Sequence, residues 1–241
     1  MIEMQNVSKI FKNAKQNTVA VQEVSFKIKR AEVLGLVGES GSGKSTLGRM
    51  LVRLEQPTSG AIFFEQKPLI DAPKKEIQMI FQDASSALNP RMTIETILQE
   101  PTQIHRLDDR VDELLDLVGL PKNAKHRFPH EFSGGQKQRI NIARALALRP
   151  KFIVCDEPTS SLDASTRAQI VQLLKQLQTE LQLTYLFISH DLNIIEQIAT
   201  NVAVMERGRI IEIAGVNELF TSPQHSATKR LIDHALFEHK L

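Results

Sequence analysis

Apolar residues recur along this chain in two rhythms. Val33-Leu34-Gly35-Leu36-Val37 is a short continuous apolar run ahead of a glycine, the pattern of a strand buried on both faces. Behind it, Leu47, Met50, Leu51 and Leu54 fall at i, i+3, i+4 and i+7, one face of a helix. Pro57-Thr58-Ser59-Gly60 is the turn expected to stop that helix. Residues 61–64, 77–81, 152–155 and 184–188 predict further strands. Between the last two, Ile170, Leu173, Leu174, Leu177 and Leu181 predict an amphipathic helix. Strands alternating with helices predict an α/β fold with a largely parallel sheet. Residues 202–205 and 210–214 flank Glu206-Arg207-Gly208-Arg209, a hairpin signal.

Residues 83–149 break the alternation. After the loop signals at Asn89-Pro90 they carry helical patterns only. Val111, Leu114, Leu115 and Val118 form one face, closed by Gly119 as a C-terminal cap. Ile140, Ala143 and Ala147 form another. The expected organisation is an α/β core of residues 1–82 and 150–220, a helical subdomain of residues 83–149 inserted in it, and a C-terminal tail of residues 221–241. No internal repeat is visible.

Composition narrows the function classes. The chain has 241 residues, 41% hydrophobic and 24% charged, enough to bury a core without a disulfide or metal staple. Cys155 is the single cysteine, so an intramolecular disulfide and a cysteine-based zinc or iron–sulfur site are excluded. The net charge of +2 is too balanced for nucleic acid to be the main partner. No apolar run is long enough to span a membrane. The opening Met1-Ile2-Glu3-Met4-Gln5-Asn6 lacks the basic and apolar regions of a signal peptide, so a cytoplasmic location is expected.

The candidate chemistry begins at Gly38-Glu39-Ser40-Gly41-Ser42-Gly43-Lys44-Ser45-Thr46, which matches the phosphate-binding loop pattern G-x-x-x-x-G-K-[ST]. Glycines let the backbone curl around phosphates with its N–H groups inward, and the following helix offers its positive end. Lys44 is expected to reach the β- and γ-phosphates, and the Ser45 hydroxyl to ligate Mg²⁺. The strand of residues 152–155 runs into Asp156-Glu157. Asp156 is expected in the Mg²⁺ shell, and Glu157 is expected to orient and deprotonate the attacking water. Ser133-Gly134-Gly135-Gln136 is either a second anion-binding helix start or an ordinary capped helix entry.

The phosphate loop, Gln82, Ser133-Gly134-Gly135-Gln136, Asp156-Glu157, Ser161-Leu162-Asp163 and His190, in this order, resemble the nucleotide-binding subunit of ABC transporters. The resemblance covers the chain from about Ile2 to about Leu231 and implies the ABC ATPase architecture, a P-loop NTPase core carrying the helical insertion. It implies that two such subunits sandwich two ATP molecules head to tail. Ser133, Gly134, Gly135 and Gln136 would then bind the partner's nucleotide, Gln82 would sense Mg²⁺ and the attacking water, and His190 would contact the γ-phosphate. Asp163 would communicate across the dimer, and Phe11 would stack on adenine, where Tyr is more usual. Phe132 stands where Leu is more usual ahead of the signature.

Residues 81–91, from Phe81-Gln82-Asp83 to Asn89-Pro90-Arg91, look like those of peptide and nickel importer ATPases, with Ala84 where Pro is usual. Glu218-Leu219-Phe220-Thr221-Ser222-Pro223-Gln224-His225 also looks like that group, which it leaves at Ser226-Ala227. The partners implied are two integral-membrane permease subunits, a second ATPase subunit or another copy of this chain, and indirectly an extracytoplasmic substrate-binding protein. The implied location is the cytoplasmic face of the cell membrane, held peripherally. His225, His234 and His239 read as a solvated tail rather than a nickel site. An ABC-type ATPase acting on nucleic acid or ribosomes is the main alternative. A small-molecule kinase would have no use for the signature, and a non-hydrolysing regulatory module would have none for Glu157.

Overall fold

A computed structural model describes residues 1–12 and 17–238; His239 lies outside the described residues. The chain runs β1 (Ile2–Phe11), β2 (Thr18–Ile28), β3 (Val33–Val37), α1 (Lys44–Leu51), β4 (Ser59–Phe64), β5 (Lys67–Pro68) and β6 (Ile77–Ile80). Helices follow: α2 (Ala84–Ala87), α3 (Ile94–Ile104), α4 (Val111–Leu117) and α5 (Gly134–Leu146). The remainder is β7 (Phe152–Asp156), α6 (Ala164–Leu181), β8 (Thr184–Ile188), α7 (Leu192–Ile198), β9 (Asn201–Glu206), β10 (Arg209–Gly215), α8 (Val216–Thr221) and α9 (Ser226–Glu238).

These elements form two compact units, Met1–Ala72 with Thr184–Leu241, and Pro73–Leu183. The first holds two sheets. One is antiparallel in the order β2-β1-β4-β5. In the other, β3 lies between β8 and β9, parallel to both, and β10 pairs antiparallel on β9. Every residue of β3 and β8 is buried, as a strand covered on both faces requires. The hairpin turn between β9 and β10 places Arg207 and Gly208 at positive φ, the twist that tight hairpins favour.

The second unit pairs β6 and β7 in parallel and carries α2 to α6. Gly119 ends α4 as expected. It sits at φ +67°, and the amides of Gly119 and Leu120 return to the carbonyls of Asp116 and Leu115, a Schellman motif.

Three expectations on local structure are corrected. Helix α1 stops at Leu51, short of the proline turn, because Arg53 turns left-handed (φ +61°) and closes another Schellman motif. Leu54 therefore leaves the helical face and is 58% exposed. The strand expected to reach Phe81 ends at Ile80. The C-terminal segment carries α8 and α9 instead of a solvated tail, because Glu212 on β10 accepts hydrogen bonds from the backbone of Gln224 and His225 and from the Thr228 hydroxyl. Among the described residues no helix is long and apolar enough to cross a membrane.

Candidate functional site

In the first unit the phosphate loop leaves the end of β3 and enters α1. Gly38, Gly41 and Gly43 all have positive φ. A Cβ on Gly38 would stand 2.1 Å from the Met205 carbonyl oxygen, and one on Gly43 would stand 2.2 Å from that of Ala20. The loop thus needs glycine there for both its backbone conformation and its close approach to neighbouring strands. Lys44 is only 6% exposed, and its Nζ donates to the carbonyls of Gly38 (2.8 Å) and Glu39 (2.9 Å). The loop's own carbonyls hold the ammonium at the start of α1. Ser45 and Thr46 open α1 beside it, half-buried, whereas Glu39 and Ser40 at the tip are exposed.

Strand register brings His190 to the same sheet edge. Leu36 of β3 pairs with Ile188 of β8 in parallel, so Gly38 and His190, each two residues on, leave the sheet as neighbours. Ligands of parallel α/β sheets bind beyond these carboxyl ends. Phe11 closes β1 half-exposed, and the Lys9 ammonium lies 4.8 Å from the centre of its ring. Lys9 is in turn fixed by Glu55 (2.8 Å) and by the carbonyl of Gln56 (2.9 Å). Sequence reasoning passed over Lys9, although its two-residue spacing from Phe11 along one strand puts both on the same face.

The second unit repeats the strand-end arrangement. Ile80 of β6 pairs with Cys155 of β7, so Gln82 and Glu157 emerge side by side. Gln82 Nε2 donates to Glu157 Oε2 at 3.5 Å. Asp156 is buried at the last position of β7, while Glu157, at φ +46°, turns its side chain out of the strand and is half-buried. Cys155 is fully buried, and burial pushes its thiol pKa up. Among the described residues no three His, Cys, Asp or Glu side chains converge on a metal position. A lone carboxylate at a strand end, as at Asp156, is the kind of donor Mg²⁺ takes, since that ion keeps waters and shares its shell with substrate phosphates instead of filling a protein cage.

Ser133 caps α5. Its Oγ accepts from the Gln136 amide (3.3 Å), and Gln136 Oε1 accepts from the Ser133 amide (3.0 Å), a reciprocal capping box. Accepting leaves the Ser133 hydroxyl proton to donate to an anion, so cap and anion site are compatible here. A Cβ on Gly135 would lie 2.3 Å from Thr166 Cγ2. Thr166 is held by Asp163, which caps α6: Oδ1 accepts from the Thr166 amide (3.0 Å) and Oδ2 from its hydroxyl (2.7 Å). These two bonds hold the Asp163 carboxyl below its ordinary range. Asp163 therefore already has a local task, positioning the residue against which the signature glycine packs. The Asp-x-x-Thr spacing of an N-cap was the signal available in the sequence.

The sequence matches the family described as ABC transporter over residues 21–160. It is 46% identical to the oligopeptide transport ATP-binding protein OppF of Bacillus subtilis (strain 168), an alignment covering 96% of this chain and 81% of that protein. It is 47% identical to the oligopeptide transport ATP-binding protein OppF of Streptococcus mutans serotype c, covering 96% of this chain and 80% of the other. Among solved structures it resembles the dimeric post-hydrolysis state of the ATP-binding cassette MJ0796 bound to ADP and Pi. That likeness has a TM-score of 0.79 at 29% identity and covers 90% of this chain and 99% of the other.

Proposed function

The chain belongs to the ABC transporter family, and from that premise we propose that it is the ATP-hydrolysing subunit of a peptide importer. It docks on two membrane-embedded permease subunits and pairs head to tail with a second ATPase subunit or another copy of itself. An extracytoplasmic binding protein hands over the cargo. The names of the relatives favour oligopeptides over nickel as that cargo. The chain works at the cytoplasmic face of the membrane, held there by the permease.

Each unit supplies its own part of the chemistry. The glycine loop and Lys44 grip the β- and γ-phosphates, the exposed Glu39 and Ser40 line the loop's outer rim, and Phe11 offers a ring face to adenine. His190 donates to the γ-phosphate. Mg²⁺, when bound, would take the Ser45 hydroxyl from the first unit and Asp156, through water, from the second, and would supply neutralisation of phosphate charge. Glu157 takes the proton of the attacking water, and Gln82 orients that water and the carboxylate together. Ser133, Gly134, Gly135 and Gln136 close on the nucleotide of the facing subunit. The helical segment of residues 83–149 transmits closure to the permease. We propose a role for Asp163 in dimer communication through Thr166 and Gly135.

The observation that carries hydrolysis, beyond nucleotide binding, is the Gln82–Glu157 pair, a carboxylate beside an amide able to orient it. The test is phosphate release by the complex of this chain with its permease and second ATPase, reconstituted in vesicles. Glu157→Gln should keep ATP binding and lower turnover at that site by about a hundredfold or more, the usual worth of a general base. An unchanged rate would refute hydrolysis at this site. A tagged chain recovered with ribosomes or nucleic acid, and not with membrane proteins, would favour the non-transport alternative.

A further inference from the structure

Helix α5 carries two amides where its neighbours are apolar. Gln138 and Asn141 are each 2% exposed, amid Ile140, Ile142 and Ala143 at 0%. Burying an amide costs free energy unless it is hydrogen-bonded, so its partners show what it is there to hold. Asn141 Nδ2 donates to the Phe81 carbonyl (3.2 Å) and to Gln138 Oε1 (3.4 Å). Both amide hydrogens are thereby used. The Phe81 carbonyl can only accept, so it sets the orientation of the Asn141 amide, whereas Gln138 Nε2 has no hydrogen-bond partner among the described residues.

Phe81 lies one residue past the last paired position of β6 and one residue before Gln82. Its carbonyl is thus the point at which the chain leaving the sheet is tied to α5. Gln82 Nε2 stands 3.5 Å from Glu157 Oε2, the long limit of a hydrogen bond. At that length a shift of a few tenths of an ångström in the Phe81–Gln82 peptide decides whether the amide engages the carboxylate. Asn141 lies eight residues along α5 from the Ser133 cap, about 12 Å of rigid helix.

We propose that Asn141, oriented by the Phe81 carbonyl to which it donates, is a positioning residue that sets the Gln82–Glu157 geometry from the signature helix. Movement of α5, whose start would grip the facing subunit's nucleotide, is passed through Asn141 to the Phe81–Gln82 peptide and so to the hydrolytic carboxylate of this subunit. The inference rests on the hydrolytic role proposed for Glu157, and the test separates the two.

The test is steady-state ATP hydrolysis by the vesicle-reconstituted complex carrying Asn141→Ala, Gln82→Ala, the double variant, or Glu157→Gln. Alanine suits a helix interior, so Asn141→Ala should assemble. It should lower kcat about three- to tenfold with the KM for ATP within twofold, the signature of a lost transition-state interaction. Because Asn141 acts through Gln82, the double variant should be no slower than Gln82→Ala alone. A wild-type kcat for Asn141→Ala, or losses that multiply in the double variant, would overturn the proposal. If Asn141→Ala does not assemble, Asn141→Ser enters the same cycle under the same criteria. If Glu157→Gln itself leaves the rate unchanged, the hydrolytic assignment fails instead.

Discussion

Gly135 separates packing from chemistry in the signature. A Cβ there would lie 2.3 Å from Thr166 Cγ2, about 1 Å inside ordinary van der Waals contact. Thr166 cannot rotate away freely, because its hydroxyl donates to Asp163 Oδ2 at 2.7 Å. Overpacking of this kind costs about 1–3 kcal/mol, and losing the charge-assisted bond costs a similar amount. Against that, replacing helical glycine by alanine gains about 1 kcal/mol. Only one of the two costs is incurred, and a contact this short puts it in the upper part of that range, about 2–3 kcal/mol, so Gly135→Ala should be destabilised by about 1–2 kcal/mol net, a fall in Tm of about 2–8 °C for a chain of this size. Thr166→Ser removes Cγ2 and keeps the hydroxyl for Asp163. In the Thr166→Ser background Gly135→Ala should become neutral or stabilising, so the sign of its effect reverses. Thermal melting of the four variants at pH 7 and fixed ATP measures this directly. The reasoning fails if Gly135→Ala melts with wild type, or if Thr166→Ser does not rescue it. ATP hydrolysis by the rescued double variant then reports whether the signature needs glycine for its amide geometry as well.

Three further outcomes are expected. Phe11→Ala should weaken ATP binding about tenfold, the worth of one stacked base, while Phe11→Tyr stays within twofold; equilibrium titration with a fluorescent ATP analogue reads both. Partial burial pushes the Glu212 carboxyl up, but the amides of Gln224 and His225 and the Thr228 hydroxyl outweigh it and hold it below its ordinary range. A depressed carboxylate stabilises the fold above its unfolded pKa and loses that contribution as pH falls through the folded value. Tm measured from pH 7 down to pH 3 should therefore fall less steeply in Glu212→Gln than in wild type, from a lower starting point, and parallel curves would contradict this. Cys155 is fully buried with its thiol pKa pushed up, so iodoacetamide at pH 8 should leave the folded chain unmodified and label it fully in denaturant, as mass spectrometry would show.

Much of the site was legible because its signals are local. The strand Val33–Val37, the glycine loop and the helix after it need only the order of residue types, and they appear where expected. The hairpin around Gly208 and the cap at Gly119 are equally local, since each depends on one residue that tolerates positive φ. Strands β1 and β2 were not legible. Asn6 and Glu23 bulge at φ +48° and +50°, which shifts the inward phase from Ile2 and Met4 to Val7, and from Val21 to Val24. A bulge breaks the two-residue alternation on which strand reading depends. Helix α9 was missed because its docking depends on Glu212, a residue remote in sequence.

The sequence by itself determined which chemical groups exist and their local presentation: the glycine loop ahead of Lys44, the carboxylates after an apolar strand, and the capped start of α5. These depend on contacts within a few residues, where backbone sterics and capping leave few alternatives. Tertiary structure alone decided which of those groups meet. Parallel register set Gly38 beside His190 and Gln82 beside Glu157. Packing turned Asn141, one more polar letter in a helix, into a buried donor to the Phe81 carbonyl 60 residues away. No local pattern encodes that pairing, because the free energy that selects it comes from burying an amide only where a distant acceptor is already fixed.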